Sequence, residues 1–267
     1  IEACIARIDA REAEVGAWTH LDRDFARKQA QDRDTLHAAG LPCGPLHGLP
    51  VGVKDVFDTE DFPTECGTAL LSGRQPREDA TAVRLLREAG ASGKTRNPHN
   101  SEHSPGGSSS GSAAAVATGM VPLALGTQTA GSVVRPAAYC GVVGFKPTYG
   151  AISRHGVLAD SAFFDTVGAF GRSIEDVALI GDVLMRYDPA DPAMRPAAAS
   201  HLQDIAAATP PIEPRFALVK TAAWPQAEQA TQEAFGELAE FLGDQCTEVA
   251  LPDLFDRVWD LHQTIVD

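Results

Sequence analysis

The chain has 267 residues, 44% apolar and 22% charged, with a formal net charge of −14. Such a length and apolar fraction support one large domain or two small ones with a sizeable buried core, and the acidic balance argues against nucleic acid or an anionic membrane as partner. No apolar run approaches the about 18 residues that a membrane helix needs, and Glu2, Arg7 and Asp9 interrupt the apolar start, so no signal peptide is expected.

Residues 1 to 40 read as helical. Ile1, Cys4, Ile5 and Ile8 make a stripe at helical spacing, and the charged, Ala-rich run Asp22 to Ala39 reads as a solvated helix closed by Gly40. After a turn-rich stretch from Pro42 to Pro50, Leu49 to Phe57 reads as a strand with Lys54 inside it. Asp79 can cap a helix whose apolar positions are Ala82, Val83, Leu85, Leu86 and Ala89. Ala91 to Ser104 is polar and irregular. Ser110 or Ser112 can cap a short Ala-rich helix ending at Gly119, followed by a buried strand over Val121 to Leu125, a helix from about Ser132 to Cys140 and a strand over Val142 to Phe145. Ser173 with Asp176 has the spacing of a capping box for a helix to about Met185.

Tyr187 to Pro214 is a polar, Pro-rich excursion. The tail then alternates again: strand at Phe216 to Lys220, helix at Gln226 to Leu242, strand at Thr247 to Leu251, helix from Leu254 to Val266. Strands alternating with helices imply an α/β fold, a mixed or parallel sheet with helices on both faces. Five scattered cysteines, Cys4, Cys43, Cys66, Cys140 and Cys246, form no CxxC pair. They read as free core thiols of a reducing cytoplasm rather than as a disulfide framework or a zinc knuckle.

Chemistry concentrates between Ser104 and Gly150. Two clusters of small residues, Gly106 to Ser112 and Thr127 to Ser132, flank the uncharged run Ala113 to Gly126. Alternation with apolar runs makes a linker the wrong reading; backbone that bends tightly around a reacting atom needs residues without bulk. Ser132 stands after Thr129-Ala130-Gly131 and before a helix, where successive N–H groups can face one space and hold an oxyanion and the helix start adds favourable partial charge. It is the best-placed nucleophile, with Ser108, Ser109, Ser110 and Ser112 as proton relays or, more plainly, helix caps. A serine needs a base. Lys54 in an apolar strand is a candidate: the neutral amine costs about 4.6 kcal/mol at pH 7 in water, and burial lowers that cost. The plainer alternative is a strand-end lysine reaching solvent. A Ser-His-Asp triad is a second hypothesis, since eight histidines are present.

Two motifs mislead. Gly107 to Gly111 matches the G-x-S-x-G nucleophile elbow, but it follows a polar, Pro-containing loop instead of a strand. His99 to His103 matches the zinc-binding H-x-x-E-H pattern, but Pro105 and Gly106 close any helix after one turn.

Taken together, GLPVGVKD (Gly48 to Asp55), PGGSSSGSAAAVA (Pro105 to Ala117) and GTQTAGSVVRPAAYCGVVGFKPTYG (Gly126 to Gly150) resemble the amidase signature family. The resemblance runs from about Ile5 to about Met185, with the motifs in the family's order. It implies an α/β/α sandwich around a mixed, largely parallel sheet, over a single domain at 1–267: a helical segment at 1–40, a catalytic core at 41–186, the excursion at 187–214 and an incomplete αβ part at 215–267. It implies a Ser-cisSer-Lys triad. Lys54 would be the base, Ser108 the bridging serine after a cis peptide bond, and Ser132 the acylated nucleophile. The amides of Thr129, Ala130, Gly131 and Ser132 would form the oxyanion hole, and Ser109 would hydrogen-bond Lys54 in support.

The implied activity is hydrolysis of a small-molecule amide, with no metal or organic cofactor. Alternatives are an amidotransferase A-type subunit that releases ammonia from glutamine within a complex, and a degenerate member that only binds a ligand or partner. The implied setting is cytoplasmic, off membrane and nucleic acid, with a homo-oligomer open. The sequence departs from the family pattern at Gln128 (commonly Asp), Ala130 (commonly Gly) and Arg135 (three residues after Ser132 instead of two). A segment that usually follows Ala91 is missing, and members run well past 267 residues.

Overall fold

The computed structural model describes residues 1–16, 18–89, 104–258 and 261. The irregular run after Ala91, the H-x-x-E-H pattern, the gap after Ala91 and most of the last helix lie outside the described residues. The chain divides into two compact units, Ile1–Ala207 and Ala208–Asp267, and the division falls inside the 187–214 excursion.

In the first unit, helices α1 (Glu2–Val15) and α2 (Arg23–Ala38) open the chain. The apolar stripe of α1 buries Ile5, Ile8 and Val15, and Gly16 ends the helix in the left-handed region at φ 49°. On α2 no residue is buried, and Asp22 caps it by accepting the amides of Asp24 and Phe25 at 3.0 and 2.9 Å.

Strand β1 is short, Val51–Gly52, so Lys54 stands just past the strand rather than within it. There the chain turns at once, with the Lys54 carbonyl accepting from Val56 N at 2.8 Å and Phe57 N at 3.2 Å. Helix α3 (Thr81–Ala89) buries all the apolar positions read from the sequence. Asp79 does not cap it. Its carboxylate instead pairs with Arg87 Nε at 2.7 Å and accepts the Glu60 amide.

Helix α4 (Ser110–Ala117), strand β2 (Leu123–Gln128), helix α5 (Val134–Cys140) and strand β3 (Val143–Phe145) follow. Strand β4 (Thr166–Gly171) is an element the sequence reading passed over, and α6 (Ile174–Leu184) starts with the expected Ser173–Asp176 capping box. A short helix, α7 (Leu202–Ala207), sits within the excursion.

The sheet order is β1-β2-β4-β3, with β1 parallel to β2 and β4 antiparallel to both β2 and β3. Connections explain the mixture. Between β1 and β2 run α3 and α4, the helical crossover that parallel pairing needs, whereas no helix lies between β3 and β4, which pair antiparallel.

Alternation along the strands sends side chains to opposite faces. On one face Leu123, Leu125, Val167 and Ala169 join Val83 and Leu86 of α3 and Ile180 and Leu184 of α6. On the other, Ala124 and Phe170 join α1, α5 and the fully buried alanines of α4. Helices thus cover both faces, as expected for an α/β/α sandwich. The alanines let α4 lie close on β2, and this brings its N-terminal serines to the strand.

In the second unit β5 (Phe216–Leu218) and β6 (Cys246–Glu248) pair in parallel across helix α8 (Gln229–Leu242). A 3₁₀ turn over Asp253–Arg257 stands where the last helix was expected to begin. Of the five cysteines only Cys140 is buried; Cys43 is exposed and the rest are intermediate, and none is joined in a disulfide. The expectation of core thiols therefore holds for one. Among the described residues no helix is long and apolar enough to cross a membrane.

Candidate active site

Parallel pairing of β1 with β2, Val51 opposite Leu123 and Gly52 opposite Ala124, carries the chain after β1 alongside the end of β2. Lys54 thereby meets Thr127. Its Nζ lies 2.9 Å from Thr127 Oγ1 and 2.8 Å from Ser108 Oγ. The Gly107–Ser108 peptide bond is cis, as the resemblance implies. Burial lowers the Lys54 pKa to about 8; the nearby carboxylates of Asp160 and Asp165, and then Cys66, work in the opposite direction.

Ser109 behaves differently from the expectation. No bond joins it to Lys54; its hydroxyl donates to the Thr127 carbonyl at 3.0 Å and accepts the Thr127 amide at 3.1 Å. Support for the lysine is therefore indirect: Ser109 fixes the backbone of Thr127, and the Thr127 side chain meets the amine. This also disposes of the G-x-S-x-G reading, because the Ser109 hydroxyl is fully buried and spent on β2. Ser112 is likewise buried, donating to the Leu125 carbonyl at 2.6 Å; the helix begins at Ser110 with Ser109 at the N-cap position and no side-chain cap bond, so neither Ser110 nor Ser112 caps it.

Gly126 makes this seam possible. A Cβ there would stand 2.6 Å from Phe170 Cε2 and 2.8 Å from Ser109 Oγ. Gly126→Ala is expected to cost about 1–3 kcal/mol of stability through overpacking, read as a lowered denaturation midpoint at unchanged m-value.

The turn from Thr129 to Ser132 follows β2 directly. Gln128 braces it from within: its side-chain carbonyl accepts the amides of Val133 and Val134 at 2.9 and 3.0 Å, and its Nε2 donates to the Ala130 carbonyl at 2.9 Å. The Gly131 carbonyl accepts from Arg135 N at 2.8 Å, and the Ser132 carbonyl from Ser109 N at 3.2 Å. A planar trans peptide sets its N–H opposite its C=O. With the carbonyls of Ala130 and Gly131 held this way, the amides of Gly131 and Ser132 point to the other side of the turn. The Ser109–Ser132 bond ties the two small-residue clusters together one residue from Ser108. Arg135 adds a second tie, donating through Nε and Nη2 to the Gly107 carbonyl at 3.0 and 2.7 Å. Its position three residues after Ser132 thus places a cation on the cis peptide.

A cavity of about 680 Å³ opens over these groups. Lys54, Ser108, Thr127, Thr129, Arg154 and Asp160 are among the residues that line it. Ala130, Gly131 and Ser132 form the turn beside it and are not part of that lining. The Thr129 hydroxyl meets Asp165 Oδ1 at 2.6 Å and Asp160 Oδ2 at 3.1 Å, and Asp165 Oδ2 accepts the amides of Asp160 and Ser161. His155 also lines the cavity, but its Nδ1 faces the Thr81 hydroxyl at 3.4 Å rather than a serine of the two clusters. That favours the lysine over the Ser-His-Asp alternative.

Fold and site define a mixed α/β protein with a partly buried lysine set against serine and threonine hydroxyls at the edge of a small-residue turn. The amidase family model matches residues 1–263, and the chain belongs to the amidase family. It is 42% identical over 211 residues to the A-type subunit of the glutamyl-tRNA(Gln) amidotransferase of Carboxydothermus hydrogenoformans, an overlap of 71% of this chain and 44% of that protein. With the equivalent subunit from Roseiflexus sp. it is 44% identical over 211 residues, again 71% of this chain and 43% of the relative. The chain thus spans under half the length of these curated relatives. Among solved structures, a peptide amidase bound to the competitive inhibitor chymostatin superposes with TM-score 0.80 at 32% identity, covering 97% of this chain and 59% of that one. A structure described as a vestigial protein complex bearing on the origins of an s-triazine catabolic enzyme gives TM-score 0.86 at 32% identity, covering 94% and 60%.

Proposed function

We propose that this chain carries the catalytic core of an amidase that hydrolyses a carboxamide to a carboxylate and ammonia or an amine. The observation that carries this reading is the Lys54 amine 2.8 Å from Ser108 Oγ, at a cis peptide bond tied to the Ser132 turn. In its neutral form the amine has one lone pair for Ser108 and still donates to Thr127. Lys54 takes the Ser108 proton as Ser108 takes that of Ser132, and Ser132 Oγ attacks the amide carbon. The oxyanion rests on the main-chain amides of the 129–132 turn. Collapse breaks the C–N bond, the proton returns through Ser108 to the leaving nitrogen, and water cleaves the acyl-serine by the same relay.

A second reading, the A-type subunit of an amidotransferase that frees ammonia from glutamine inside a complex, is favoured by the names of the 42–44% identical relatives. It uses the same bond cleavage and differs in substrate and partners. A fluorophosphonate probe followed by peptide mass analysis tests the shared chemistry. Label on Ser132 supports both readings, and none in the folded protein favours a ligand-binding member without catalysis. Ammonia release from a panel running from acetamide to aryl and fatty amides, with glutamine included, separates the two.

The sign of the pH dependence follows from Lys54. Burial moves its pKa down from 10.5 to about 8, so the neutral, proton-accepting form is the minority at neutral pH. kcat/KM should climb about tenfold per pH unit below about pH 8 and level off above it. A profile flat from pH 6 to pH 9 would remove Lys54 as the titrating base.

A further inference from the structure

We propose that His37, Cys43 and His47 form a binding site for one divalent, borderline-soft transition cation, zinc foremost, at the join of α2 and the loop leading to β1. One ligand atom from each residue lies within 4.8 Å of the other two. Cys43 Sγ is 3.8 Å from His37 Nδ1, and the two imidazole centroids are 5.9 Å apart. Ligands 2.0–2.3 Å from a tetrahedral ion stand about 3.5 Å from one another, so side-chain rotation alone brings the three onto one ion. Two nitrogens and a sulfur select against magnesium and calcium, which take oxygen. The fourth position faces solvent and takes water.

The backbone beneath these side chains is already fixed. His37 lies in the last turn of α2, where its carbonyl accepts from Gly40 N at 3.0 Å. Cys43 precedes Gly44, at which a Cβ would stand 3.0 Å from Ala89 Cα, so this loop is pressed against the end of α3. Between Cys43 and His47, Leu46 is fully buried, and His47 N donates to the Gly44 carbonyl at 3.0 Å. A metal here pays little ordering entropy. It would clamp α2 to the segment that runs on to β1 and Lys54. Coordination converts the Cys43 thiol to a thiolate and releases its proton to solvent. None of this depends on the amidase reading.

Cobalt(II) is the probe. Added to the reduced, metal-free protein, one equivalent should give a thiolate-to-cobalt charge-transfer band and strong tetrahedral visible bands, and zinc should displace both. Cys43→Ser should abolish the charge-transfer band, and His37→Ala or His47→Ala should each weaken zinc binding at least about tenfold. On the unaltered protein, zinc should protect Cys43 from alkylation while leaving exposure of the other thiols unchanged. Absence of stoichiometric cobalt binding, a band that survives Cys43→Ser, or alkylation of Cys43 at an unchanged rate under zinc would each overturn the proposal.

Discussion

Lys54→Met should lower amide turnover by about 10³-fold or more while leaving the stability of the fold nearly unchanged. Both halves come from one fact: the amine is held in a setting that disfavours its charge, and its pKa falls to about 8. Methionine is unbranched, of similar length and polarizable enough to fill the same path. The substitution removes an ammonium whose desolvation the folded state has to bear. What it strands are the hydroxyls of Ser108 and Thr127, each now lacking the amine. Ser108 is exposed to the cavity and can turn to water; a Ser or Thr hydroxyl rotates to suit its surroundings. The balance is expected to lie within about 1 kcal/mol of zero. Denaturant unfolding and steady-state kinetics on the same preparation check this. A large stability loss with a matching loss of activity would mean that the amine is there to hold the fold. Turnover that survives the change would end the proposed proton path.

The legible parts of the chain are those whose cause is local. The α1 stripe, the apolar face of α3 and the Ser173–Asp176 box each need only neighbouring residues to work, and each stands where the sequence places it. Strand β4 was illegible because Gly168 and Gly171 look like breakers. Their real reason is tertiary: a Cβ at Gly168 would meet the Phe145 carbonyl at 2.5 Å, and one at Gly171 would meet Asp176 Cβ at 2.5 Å. The end of β2 was missed for a related reason. Gly126, Thr127 and Gln128 resemble the start of a turn, yet all three pair with β4.

At the site, Lys54 and the two serine clusters could be picked out by composition and by resemblance. Thr127 as the second partner of Lys54 could not, because only the β1–β2 register puts the two together. The same holds for Gln128 and Arg135. As sequence they are departures from a family pattern. In the structure Gln128 accepts two amides and donates to a carbonyl, bracing the turn, and Arg135 holds the carbonyl of the cis peptide.

Ser132→Ala should cost about 10⁴-fold or more in kcat and erase fluorophosphonate labelling, with little change in the fold. The result matters because the geometry offers a rival. Ser108 is the hydroxyl in direct contact with the amine, it lines the cavity, and a two-residue Lys–Ser mechanism would make it the nucleophile. The proposed mechanism assigns the attack to Ser132 instead, on the strength of the turn. An acyl transfer needs main-chain donors where the negative charge develops, and the amides freed by the Gln128 and Arg135 ties are those of Gly131 and Ser132. They belong to the turn that carries Ser132, while Ser108 Oγ sits 2.8 Å from the base. Ser108→Ala therefore breaks the relay but leaves the attacking atom in place. Slow labelling should persist there and map to Ser132. Ser132→Ala, by contrast, leaves base and bridge intact with nothing for them to activate. If the label instead lands on Ser108, and persists in Ser132→Ala, the chain runs the shorter mechanism and the 129–132 turn serves only to shape the cavity.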